Sequence, residues 1–316
     1  YITLYLQDVP KMFAMLLNNE KMYATSEKSA RYTQMNVKGI ELDLYTKWKE
    51  IFIRLIKSKY GNEPYFDDKR IEKLAQENAR YFLSVYTDTS LAYTTSYRQL
   101  NYLYTWLKNI ENHPSNLIKK LKPTADKFCL FLEINHLVDP KIANLADEKG
   151  FSLIAQKDRK EYFGDVYSTK YYGSFAELAQ AQRHRTLSYE IKELNFATFY
   201  VPKIIRDNET LKTMWVEDML KVKDITPQGQ IVQIFERGTP ENFILKLKER
   251  LCTCAQLEIN DKTKATLEKY IKNTDDAEVK AMLEKYNKGA RCTSGFKCNT
   301  PCKFADGINL NREIWK

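Results

Sequence analysis

No stretch of this 316-residue chain holds enough consecutive apolar residues to cross a bilayer, which excludes a helical membrane span. No basic-then-apolar leader opens it, so no secretion signal is expected. Tyr1 already lies inside an apolar alternation, which suggests that part of the natural N-terminus is missing. Glycine and proline are scarce, 10 and 9 residues, so long regular elements and few glycine-rich loops are expected. Neither GxGxxG nor GxxxxGK(S/T) occurs, so the common phosphate-cradling loops cannot supply any nucleotide binding. His113 and His136 have no companions at ligand spacing and read as surface or core residues. What is present is ordinary globular composition, 43% hydrophobic and 29% charged, which excludes disordered, collagen-like and disulfide-scaffold chains. Lysine plus arginine number 50 against 41 acids, a net charge of +9 that favours anionic partners.

The opening YITLYL alternates and predicts a strand, followed after Asp8-Val9-Pro10 by a short helix in KMFAMLLNNEKMY. A strong helix is expected over 67–87, with Asp67 or Asp68 as cap, and another over 97–110. Asp139-Pro140 and Lys149-Gly150 are the best boundary signals. The second half opens in the same way: a strand over 165–171, a turn at Gly173-Ser174, and a helix in FAELAQAQRHR. Thr239-Pro240 starts a further helix whose apolar stripe is Ile244, Leu247, Leu251, Cys254 and Ala255. Two polar helices near 261–272 and 275–287 precede a loop-like tail. Residues 1–21 and 165–185 each run strand, turn, helix, which suggests two diverged copies of one unit, 1–145 and 146–316.

Arg183-His184-Arg185 has a bland reading, a basic helix end that complements the helix dipole. Its surroundings sharpen it. QAQRHRTLS resembles the QxxRHRxxS signature of flavin-dependent thymidylate synthases. The family's continuation, ExSxRY, is absent after Ser188 but present in the first copy, where Glu27, Ser29, Arg31 and Tyr32 match it. The first copy in turn has Asn19-Glu20-Lys21 where RHR belongs, so each copy keeps the half that the other lacks. Glu77-Asn78-Ala79-Arg80 resembles the family's ExAR helix, and Ser96-Tyr97-Arg98 stands at its NxR position with Ser for Asn. LKLKERLCTCAQLEI is similar to the FLxLRxxxxAQxEI helix, with Arg250 at the arginine that contacts uracil and Leu107 at that place in the first copy.

The resemblance implies an α/β (α+β) fold: two diverged copies of the synthase fold, each an antiparallel sheet flanked by long helices. It implies a flavin-dependent methyltransferase that converts dUMP to dTMP, with FAD as cofactor and NADPH and methylenetetrahydrofolate as co-substrates. By matching positions, Gln180, Arg183, Glu27, Ser29, Arg31 and Arg80 would hold dUMP. Arg183, His184, Arg185, Glu27, Ser96 and Arg98 would hold the flavin. Arg250 would be catalytic, favouring ionisation of the uracil ring by placing positive charge where negative charge develops. Guanidinium forks suit these polyanions because they bind phosphate bidentately and stay charged. The expected partners are dUMP and folate, with a homo-oligomer built as a dimer of two-copy chains, no membrane, and nucleic acid disfavoured because no nucleic-acid module pattern appears. A cytoplasmic location is expected.

Six cysteines remain to be placed. Cys129 sits in an apolar run and reads as a buried thiol. Cys252 with Cys292, Cys298 and Cys302 could bind zinc tetrahedrally or an iron–sulfur cluster; the alternative is unpaired thiols in a reducing compartment. Two other readings of the whole chain stay open: an inactive family relative serving as a structural or regulatory subunit, and a basic nucleic-acid-binding protein.

Overall fold

Alternating apolar residues at the start form strand β1 (Ile2–Pro10), and the chain passes directly into helix α1 (Lys11–Leu17). The computed structural model describes residues 1–30, 33, 35–62, 66–144, 150–154, 161–252 and 255–287. Strand β2 (Tyr23–Glu27) follows, then helices α2 (Ile40–Tyr60) and α3 (Asp68–Ala79), strand β3 (Asp88–Thr95) and helix α4 (Tyr97–Lys108). Helices α5 (Asn116–Lys119), α6 (Lys122–Ile134) and α7 (Pro140–Ala143) complete the first half. The second half runs β4 (Tyr167–Ser174), α8 (Phe175–Ala181), β5 (Ser188–Lys192), α9 (Lys203–Arg206), α10 (Glu209–Lys221), β6 (Ile231–Gly238), α11 (Pro240–Arg250), α12 (Leu257–Asn273) and α13 (Ala277–Glu284). The chain is therefore α+β with small antiparallel sheets, as the fold class expected at that coarse level.

The sheets described have the same plan. Their orders are β1-β3-β2 and β4-β6-β5, all antiparallel. Each first strand leads without a gap into a seven-residue helix. The two backbone bonds that seat that helix are equivalent as well. Lys11 N and Met12 N donate to Thr87 and Val85, and Phe175 N and Ala176 N donate to Gln230 and Gln228. Each third strand has eight residues, then one capping residue, then a helix. Ser96 caps α4 by accepting from Gln99 N at 3.1 Å, and Thr239 caps α11 by accepting from Asn242 N at 3.4 Å.

The chain divides into two compact units that do not follow chain order. The first comprises Tyr1–Asn36 and Val85–Gln156, the second Val37–Ser84 and Lys157–Lys316. In the first unit, Phe13 packs edge-on to Phe128, and Leu103, Leu107 and Leu132 of α4 and α6 are buried. In the second, α2 and α3 pack with the elements of the second half around an aromatic knot. Trp215 of α10 meets Trp48 at 4.8 Å and Phe82 at 4.7 Å between ring centroids. Asp218 accepts from Trp48 Nε1 at 2.9 Å and pairs with Lys47 and Lys221.

Several expected boundaries move. The helix predicted over 67–87 ends at Ala79 and closes in a single 3-10 turn at Arg80–Phe82 before β3; Asp67 is its cap. Gly173-Ser174 is not a turn between elements. It ends β4, and the Ser174 hydroxyl caps α8 by accepting from Glu177 N at 3.1 Å. The helix expected through Arg185 stops at Ala181, where Arg183 N and His184 N turn back to Gln180 and Ala181 carbonyls. No described helix is long and apolar enough to cross a membrane.

Candidate functional site

Four of the residues singled out in the sequence come together in the second unit. Arg80, just past the C-terminus of α3, is buried, and its Nη2 donates to Gln256 Oε1 at 2.5 Å and to the Ala176 carbonyl at 3.1 Å. Gln180 of α8 donates to the same Gln256 oxygen. Gln256 Nε2 donates to Tyr81 Oη at 2.5 Å, and Tyr81 donates onward to Glu258 Oε2 at 2.8 Å. Ser174 closes the run, giving Glu258 its hydroxyl proton at 2.6 Å and its amide at 2.8 Å. On the other side of Gln180, Arg250 donates to the Gln180 carbonyl at 3.3 Å and, through Nε, to His184 Nε2 at 2.7 Å. The imidazole accepts there, so it is neutral with its proton on Nδ1. Burial, then the positive charges of Arg250 and Lys246, push its pKa down to about 2.

The remaining residues lie elsewhere. Arg183 and Arg185 flank His184 and are exposed. Glu27, Ser29, Ser96 and Arg98 belong to the first unit. There Glu27 pairs with Lys11 and accepts from Asn18 at 3.2 Å, while Arg98 is exposed. Arg31, Cys254, Cys292, Cys298 and Cys302 lie outside the described residues. Cys252 is half-buried, and Cys129 is the buried thiol expected, its pKa raised to about 12 by burial. Among the described residues no group of side chains has metal-binding geometry.

Sequence reading missed a second polar group, packed against the first. Glu236 of β6 and Lys246 of α11 form an ion pair whose side chains are both fully buried. Tyr167 donates to Glu236 Oε1 at 2.8 Å, and Tyr171 Oη lies 3.1 Å from Glu236 Oε2 and 3.4 Å from Glu177 Oε1. Lys246 also stands over the Tyr171 ring at 5.7 Å. Glu177 has no solvent exposure, and its Oε2 has no hydrogen-bond partner. Burial raises its pKa to about 8; Lys246 opposes that shift, and Glu258 and Glu236 add to it. Burial also raises Glu258, against the hydrogen bonds from Ser174 and Tyr81.

One signal for this group was available in the sequence. Lys246 falls three residues after Phe243 and four before Arg250, on the face that α11 buries. No protein-family model matches the chain, and no curated protein matches it.

Proposed function

We propose that the chain is a diverged, tandem-duplicated relative of the flavin-dependent thymidylate synthases, acting on dUMP as a dimer of two-copy chains. One observation carries this reading. Arg80, Gln180 and Gln256, from three separate stretches that resemble family motifs, meet at a single amide oxygen although up to 176 positions separate them.

The chemistry of the donor set fits the implied ligands. Arg183 and Arg185 offer two exposed guanidinium groups beside a buried neutral imidazole, which suits a cofactor carrying phosphate. A bound flavin would supply the hydride, with NADPH as reductant and methylenetetrahydrofolate as carbon source. The protein's own part is to hold and polarise. Arg250 is kept charged and oriented by the His184 nitrogen and the Gln180 carbonyl, so its positive charge is fixed before a ligand arrives.

A second reading, a relative that has lost catalysis, is favoured by one feature. Arg80 and Gln180 satisfy one another's hydrogen-bonding neighbours inside the protein, with 4% and 6% exposure. The test is FAD uptake followed by absorbance, dUMP binding by calorimetry, and product analysis with NADPH and methylenetetrahydrofolate. The synthase reading expects one flavin per chain, dTMP formed, and flavin lost in Arg183→Ala/Arg185→Ala. Flavin and dUMP binding without dTMP selects the inactive relative. A colourless chain that takes up neither ligand overturns both.

A further inference from the structure

We propose that Tyr171, Glu177, Glu236 and Lys246 form a buried proton-transfer site in the second unit, built to move one proton between helix α8 and the Glu236–Lys246 pair. It goes beyond the synthase reading and does not depend on the flavin.

Counting hydrogens assigns the starting state. Tyr171 Oη has one proton and two carboxyl groups within reach, Glu177 Oε1 at 3.4 Å and Glu236 Oε2 at 3.1 Å. It can donate to only one of them, and the second contact is a hydrogen bond where that carboxyl donates to Tyr171 instead. Glu236 already receives Lys246 and Tyr167 and is the acceptor. We take Glu177 as the carboxylic acid, the neutral form that its burial favours against the charge of Lys246. Transfer then needs no heavy-atom bond to change. The Glu177 proton passes to Tyr171 Oη as the Tyr171 proton passes to Glu236 Oε2. Glu177 becomes the carboxylate, Glu236 becomes the acid beside Lys246, and the net charge of the group is unchanged.

The first unit shows that the fold does not require these residues. Strand register and helix position identify the counterparts. Leu6 pairs with Leu91 where Tyr171 pairs with Ile234. Phe13 and Glu177 are the third residues of α1 and α8. Tyr93 and Glu236 are the sixth of β3 and β6, and Leu103 and Lys246 the seventh of α4 and α11. Leu6, Phe13, Tyr93 and Leu103 are all buried, so one plan is packed with apolar and aromatic side chains in one unit and with charges in the other. A buried ion pair is seldom more stable than a well-packed apolar equivalent, so its presence here calls for a reason other than stability.

Two further features point the same way. Gly173 stands at the position of Val9, and a methyl group there would lie 2.9 Å from Ile234 Cδ1 and 3.0 Å from Glu177 Oε2. The missing side chain leaves room for both Ile234 and the carboxyl. Glu177 also lies one helical turn from Gln180, and Lys246 one turn from Arg250, so the proton's position changes the charge directly beneath the candidate site.

The test uses the full chain without ligand. Infrared spectroscopy at neutral pH should show a protonated-carboxyl stretch that Glu177→Gln removes and Glu258→Gln retains. The exchange Tyr171→Leu/Glu177→Phe/Glu236→Tyr/Lys246→Leu, which installs the first unit's residues, should leave the denaturant midpoint at or above that of the wild type. Absence of the band, its survival in Glu177→Gln, or a lowered midpoint in the exchange overturns the proposal. Should the exchange not fold, the near-isosteric Glu177→Gln decides by its own midpoint, which should not fall. Because no flavin enters these measurements, a failure of the synthase reading leaves their outcome unaffected.

Discussion

Lys246 and Glu236 illustrate how unequal single changes can be when a charge is buried. Lys246→Met removes one partner and strands a carboxylate with no exposure, so it should cost about 3–5 kcal/mol in chemical denaturation. The four-residue exchange removes both charges and should not. His184 and Glu177 set opposite pH limbs. His184 titrates at 6.5 when unfolded and at about 2 when folded, so stability should fall as pH drops below 6.5. Glu177 is raised from 4.5 to about 8, so its stabilising contribution is complete below 4.5 and is lost as pH rises through 8. Unfolding free energy measured against pH should flatten below 6.5 in His184→Gln, and between 4.5 and 8 in Glu177→Gln. A wild-type profile in both variants would contradict these assignments. Neither limb was legible in the sequence. Local sequence carries charge but not depth.

At the scale of elements, much was legible. Alternation located β1, the strand–turn–helix likeness of the second opening located β4, and capping chemistry located the starts of α3 at Asp67 and α11 at Thr239-Pro240. The repeated strand–cap–helix joint gives a direct comparison. Ser96→Ala and Thr239→Ala each remove one capping oxygen and should each cost about 1 kcal/mol in denaturant unfolding. If Ser96 instead serves the flavin, Ser96→Ala will weaken flavin uptake with little loss of stability. Beyond β2, α2, β3, β5, α10 and β6, which were not foreseen, what sequence misplaced were ends. Helix periodicity continues through Arg185 and to Thr87, but α8 stops at Ala181 and α3 at Ala79. His184 leaves the helix to reach Arg250, and Arg80 leaves it to reach Gln256. Both are contacts across more than 60 positions, beyond the window of any periodic pattern.

For the whole molecule, chain order suggested a division near residue 145, whereas α2 and α3 belong to the compact unit of the second half. Hydrogen exchange should reflect this. Amides of 40–60 and 68–79 should open with those of α10 and β6, and amides of β1 and β3 as a separate group. Exchange of α2 together with β1 instead would refute that grouping. The sequence by itself determined the two strand–helix openings, the helix starts at Asp67 and at Thr239-Pro240 and the basic balance, because these follow from local alternation, capping and composition. Only the tertiary structure decided that Arg80 joins Gln180, Gln256 and Arg250, and that one unit buries charges where the other buries leucine and phenylalanine. The reason is that burial and partnership are set by which helix packs where, and that choice rests on distant aromatic contacts such as Trp48 on Trp215 rather than on any local pattern.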